Sequence, residues 1–277
     1  MKHIVALLLA LGLLIASAPT ALACYGAAAM AMGGAYTSVA NGVLAVYWNQ
    51  AGLAFTPGRG EVSLTQSAPL DYLNYNAFYG AAVKVNDRLG LGFGHTVLAP
   101  WAGNERWNTF AAGLKLTDDL AVGGAFRLLD GTDPDTGSYY TSQGFDLSAQ
   151  YHREIASGTL LNLGLLVQDV GGPSATNLYW QNIRPAISLE TDKLTLAFDV
   201  YDAAEIRYAL RSEYNFLQHQ VGMEYRPLGR EGGLALRGGF YHDVLTFGAG
   251  LRLAESFVDF MAMPEWEAIQ VTAGVRF

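Results

Sequence analysis

Few residues in this chain sit where chemistry could be done. "DGTDPDTG", Asp130 to Gly137, packs three acids into one turn. Oxygen-rich loops of that kind suit calcium, but no glutamate follows at the spacing that closes an EF-hand loop. Asp-Pro-Asp-Thr-Gly is also good turn chemistry by itself, so no metal is expected there. His95, His152, His219 and His242 are scattered, and none stands at metal-ligand spacing from another. There is no G-x-S-x-G elbow and no H-E-x-x-H pair. "GLGFGHTV" is no phosphate loop, because its glycines fall at period two, as strand glycines do. The residues therefore predict neither an enzyme nor a cofactor. The single cysteine, Cys24, cannot form an internal disulfide. It directly follows Ala21-Leu22-Ala23, a small-residue cleavage site, and would be the first residue left after cleavage. Lipidation of Cys24 and ordinary cleavage both fit, although a lipoprotein signal usually has leucine where Ala21 stands.

The same N-terminus carries Lys2 and His3, then an apolar run from Ile4 to Ile15, then Pro19. That order reads as a secretory signal over residues 1–23, too short to be a membrane anchor. Of the whole chain, 51% is hydrophobic and only 15% charged, with 32 glycines and a net charge of -8. A soluble domain carries nearer a quarter charged residues, and the acidity argues against a nucleic-acid partner. Beyond the signal no stretch reaches the ~18 apolar residues of a membrane helix. A chain that is greasy on average but nowhere continuously greasy suits strands with one apolar face.

From Glu61 onward the sequence falls into alternating segments of about ten residues, the length of a tilted strand crossing a bilayer. In "DLAVGGAFRLLDG", Leu120, Val122, Phe126 and Leu128 share one face, and Ala121, Gly123, Ala125 and Arg127 the other. "KLTLAFDVYD", "VLTFGAGLRL" and "AIQVTAGVRF" repeat the pattern. The second face is Gly, Ala and Ser with isolated charges: Lys115, Arg127, Asp146, Asp199, Glu224, Arg237, Arg252, Asp259 and Arg276. A soluble sandwich would show many long polar side chains there. Small residues fit the crowded inside of a closed barrel, with the aliphatic stripe against lipid and no open edge. The nine charges could steer a substrate, or pair with one another and with whatever fills the lumen.

Connections alternate long and short, and counting them gives about fourteen antiparallel strands, an even number that leaves both ends periplasmic. The segment Ile206 to Asn215 is read as loop, since one more strand would break parity. Trp101, Trp107, Tyr139, Tyr140, Tyr179, Trp180 and Trp266 gather near segment ends and suggest an interfacial girdle. The expectation is an all-β membrane protein: a barrel over 59–277 in a bacterial outer membrane.

"GAAAMAMGGAYTSVANGVLAVYWNQAGLA" stands apart, since it is apolar but does not alternate. Burying each of its large side chains is worth roughly 1.5–3 kcal/mol, and the nearest enclosed volume is the lumen. Residues 24–58 are therefore expected to form a hatch inside the barrel. Tyr36, Val46, Tyr47 and Trp48 would be the residues a hydrophobic ligand touches.

These residues carry a resemblance. Met32-Gly33-Gly34-Ala35 followed by Asn49-Gln50-Ala51-Gly52-Leu53-Ala54 looks like the N-terminal signature of the FadL/PorV superfamily of outer-membrane barrels. Gly33, Gly34, Asn49, Ala51 and Gly52 match the hatch motif, and Gln50 departs from it where the family usually has proline. The C-terminal "HQVGMEYRPL", "LALRGGFYHD" and "LTFGAGLRLAESFVDFMAM" also resemble PorV-like members, and Phe277 resembles the terminal aromatic read by the outer-membrane assembly machinery. The resemblance implies a fourteen-stranded barrel with an N-terminal hatch. It implies passive transport of small hydrophobic compounds such as fatty acids, or else a role holding partner proteins of a secretion system.

Overall fold

A computed structural model describes residues 25–69, 76–98, 105–132, 136–170, 182–201, 218–230 and 233–277. The signal segment, Cys24, 133–135 of the acidic turn, Trp101, Tyr179, Trp180 and 206–215 lie outside the described residues.

Fourteen strands close into one antiparallel barrel in simple sequence order, with β1 paired to β14. They are β1 (Gly60–Pro69), β2 (Asn76–Lys84), β3 (Leu89–Val97), β4 (Arg106–Lys115), β5 (Leu120–Thr132), β6 (Tyr139–Ala156) and β7 (Thr159–Gln168). The second half is β8 (Asn182–Glu190), β9 (Leu194–Tyr201), β10 (Gln218–Tyr225), β11 (Leu234–Tyr241), β12 (Val244–Leu253), β13 (Ser256–Met263) and β14 (Ala268–Arg276). Closure leaves no edge, which is what a sheet in hydrocarbon requires. At the seam Glu61 stands opposite Arg276, and the Arg276 Nε donates to Glu61 Oε2 at 2.7 Å.

Parity sets the two faces as the sequence predicts. On β9, Thr195, Ala197 and Asp199 are buried while Leu196 and Phe198 face out. Leu64, Phe93, Leu114, Phe145, Leu189, Phe247 and Leu251 form part of the same exposed aliphatic and aromatic exterior. So much apolar surface is stable only against lipid.

The girdle needs correction. Trp107 is buried, and its indole Nε1 donates to Glu105 Oε2 at 3.0 Å. Tyr140 also turns inward, its hydroxyl donating to Glu105. Of the aromatics named above whose side chains are described, Tyr139 is the one that faces out, 66% exposed. The reason is parity: Trp107 alternates in step with Thr109 and Ala111, which belong to the small-residue face.

Candidate functional site: the hatch in the lumen

Residues 25–58 fold inside the barrel as short helical turns. Helix α1 spans Ala27–Ala31 and α2 spans Ala45–Trp48, with 3-10 turns at Gly42–Leu44 and Gln50–Phe55. Helices this short are not stable alone; the barrel wall holds them. The Ala27 amide donates to Thr272 Oγ1 on β14 at 2.8 Å, and the Gly33 amide to Thr246 Oγ1 on β12 at 3.0 Å. The Tyr36 and Thr37 amides both donate to Asp199 Oδ2 on β9, at 3.1 and 2.9 Å. Gln150 Nε2 on β6 donates to Ala40 O at 3.0 Å, the Val43 amide to Glu61 Oε1 on β1 at 3.1 Å, and the Ala51 amide to Ser148 Oγ at 3.0 Å. Contacts with the remaining strands complete the ring, so the hatch meets all fourteen.

The lumen-facing glycines explain how the hatch fits. A Cβ on Gly90 would stand 2.0 Å from Leu53 O, on Gly123 2.3 Å from Ala51 N, and on Gly222 2.3 Å from Met32 O. Each of those neighbours is backbone and cannot swing aside, so only glycine lets the hatch lie against the wall. Within the hatch, Gly52 packs on Ala40, where a Cβ would come within 2.0 Å of the carbonyl oxygen. Gly33 and Gly34 hold φ of 64° and 77°, and turn the chain from β12 towards β9. Asn49 Oδ1 accepts from Ala51 N at 3.2 Å and caps the last turn. Gln50 makes that turn without proline, its Nε2 donating to Val46 O at 3.1 Å.

At the hatch centre lies an aromatic cluster. Tyr47 and Trp48 meet edge-to-face at 5.4 Å, Tyr36 and Trp48 at 6.1 Å, and Tyr25 stacks on Phe78 of β2 at 5.8 Å. Trp48 Nε1 donates to Tyr25 O at 2.7 Å, so the one polar atom of the indole is satisfied. Val46 and Trp48 are fully buried, whereas Tyr36 and Tyr47 are half-buried. Burial holds the Tyr36 phenol well above its ordinary pKa, and the ring is neutral.

The lumen charges fall into separate groups. Arg127 Nη2 donates to Asp146 Oδ1 at 2.9 Å and to Asp169 Oδ1 at 2.7 Å. Arg237 donates to Glu224 Oε2 and to Asp259 Oδ1, both at 2.6 Å. The second of these bonds crosses β12 at Gly250, where a Cβ would lie 2.2 Å from the carboxylate. Arg276 pairs with Glu61, Asp199 accepts from the hatch, and Lys115 Nζ lies 4.8 Å over the Phe55 ring. Arg252 is exposed at the periplasmic end of β12. Sequence reading missed Glu61, Asp169, Glu190, Arg184, Arg226 and Gln220. Arg184 was legible from parity, since it alternates with Ala186 and Ser188 on the small face. Asp169 was not, because it lies beyond β7 with φ 54°.

No protein-family model matches the chain, and no curated protein matches it. Solved structures do. The CymD monoaromatic hydrocarbon channel superposes with a TM-score of 0.59 at 11% identity, over 93% of this chain and 99% of that one. A Pseudomonas aeruginosa FadL homologue gives 0.53 at 12% identity, over 89% and 96%. The Pseudomonas putida toluene transporter TodX gives 0.51 at 13%, over 94% and 98%. The chain has the fold of the FadL-type outer-membrane channels. At these identities the likeness is one of architecture: strand number and closure. The apolar exterior described above makes this closed barrel a multi-pass membrane protein of the kind found in bacterial outer membranes.

Proposed function

We propose that the protein is a passive channel for small hydrophobic compounds, with fatty acids and aromatic hydrocarbons as the candidate classes. Tyr36, Val46, Tyr47 and Trp48 are its ligand-contacting residues, and outer-membrane lipid is its surrounding partner. One observation carries this reading: the middle of a lumen walled by small residues and ion pairs holds a packed apolar and aromatic cluster centred on a segment that is not part of the wall. An apolar site with few polar groups is what such ligands need. Passage requires part of the hatch to give way. The proteins named as monoaromatic hydrocarbon channels and as a toluene transporter share the architecture, which supports the reading.

The test is uptake of labelled toluene and of a labelled long-chain fatty acid by cells that express the chain. Whichever compound the intact protein carries, Tyr47→Ala/Trp48→Ala should carry several-fold more slowly at equal amounts of folded barrel. Undiminished uptake by the double variant would remove these residues from the path.

A further inference from the structure

Two wholly buried polar side chains beside the aromatic cluster are left without full partners. Gln220 of β10 and Asp199 of β9 stand opposite each other in register, and both face the lumen with 0% exposure. Among the described residues nothing hydrogen-bonds Gln220 Nε2 or Oε1, and nothing bonds Asp199 Oδ1. Asp199 Oδ2 is used, by the Tyr36 and Thr37 amides. What covers Gln220 is the Gly33-Gly34 turn of the hatch: a Cβ on Gly34 would lie 2.9 Å from the Gln220 amide. Burying an amide with neither donor nor acceptor satisfied is costly, and a hydrophobic residue would have avoided that cost.

We infer that Gln220 and Asp199 form a polar subsite that selects ligands with a hydroxyl group attached to an apolar ring. This rests on the channel reading above and narrows it. The ring would pack with Tyr36 and Trp48, whose centroids are 6.1 Å apart, and Tyr36 itself is tied to Asp199 through its backbone. The hydroxyl would donate to Asp199 Oδ1 or Gln220 Oε1 and accept from Gln220 Nε2. Displacing the Gly33-Gly34 turn uncovers the subsite, so occupation and hatch movement go together. The charges set the class of polar group. The Arg184 guanidinium lies 4.1 Å over the Tyr201 ring on the same wall, and its charge acts on Asp199. A carboxylate would come to rest beside the Asp199 carboxylate, and a plain hydrocarbon would leave the amide unsatisfied. A neutral donor–acceptor group fits.

Three ligands with one ring system decide the matter: naphthalene, 1-naphthol and 1-naphthoate. Their binding to the full chain in detergent is followed by quenching of tryptophan fluorescence. The wild type should bind 1-naphthol about tenfold more tightly than naphthalene, the worth of one good hydrogen bond to a buried group, and 1-naphthoate least. Gln220→Leu should erase the gap between 1-naphthol and naphthalene. Equal binding of naphthol and naphthalene by the wild type, or naphthoate as the tightest of the three, overturns the subsite while the channel reading stands. If none of the three saturates, the subsite and the channel reading fall together. The wild-type comparison needs no variant to fold.

Discussion

Arg237→Ala should destabilise the barrel by about 3–5 kcal/mol, the cost of breaking a buried ion pair by removing one partner. Arg237 is the central cation of a cluster that ties β10, β11 and β13, and its side chain is 3% exposed. Glu224 would keep Arg226, at 2.9 Å, but Asp259 would be left buried with no cation bonded to it among the described residues. The loss should therefore come mainly through Asp259. Arg237→Leu combined with Asp259→Leu should recover most of it, because replacing a whole buried pair by apolar groups is close to neutral. Arg106→Ala is the contrast. Its pair with Asp130, at 3.1 Å, lies on the outside with Arg106 56% exposed, and such pairs are worth about 0–1 kcal/mol. Urea unfolding in lipid vesicles measures all three. A single-variant loss at Arg237 no larger than that at Arg106 would show that the lumen cluster is solvated and not structural.

Of two neighbouring glycines, only one should respond to substitution by alanine. Gly239 faces the lumen, where a Cβ would stand 2.4 Å from Val221 O, 2.5 Å from Met32 C and 2.6 Å from Gly33 N. Gly238 faces the bilayer, and the nearest atom to its Cβ would be Thr246 O at 3.8 Å. Gly239→Ala forces either the wall or the hatch to move, an overpacking cost of about 1–3 kcal/mol. The hatch is the softer partner, since its helices are short and the wall is held by a closed ladder of backbone hydrogen bonds. Ion flux through reconstituted vesicles should rise for Gly239→Ala and stay at the wild-type level for Gly238→Ala. Equal flux from both would mean that the hatch does not press on β11.

Much of this was legible in the sequence because strands announce their faces. Period two placed Leu196 and Phe198 outside and Asp199 inside, and the excess of small residues on the inner face marked the inside of a closed barrel. The failure of residues 25–58 to alternate marked that something. Trp107 shows how the same rule can be misapplied: being aromatic and near a strand end suggested the interface, but its parity with Thr109 and Ala111 put it inside. Gln220 was invisible for another reason. A neutral amide on a strand gives no charge signal, and only the fold shows that it is buried opposite Asp199 and under Gly34. The pairing of Arg237 with Asp259 was equally hidden, since it crosses β12 and depends on Gly250 leaving the gap.

Everything above turns on residues 25–58 filling the lumen. Single-channel recording in planar bilayers tests this directly, comparing the intact chain with one lacking those residues. The intact barrel should pass no steady ion current, and the shortened one should conduct continuously. Equal conductance from the two would contradict a lumen closed by the hatch.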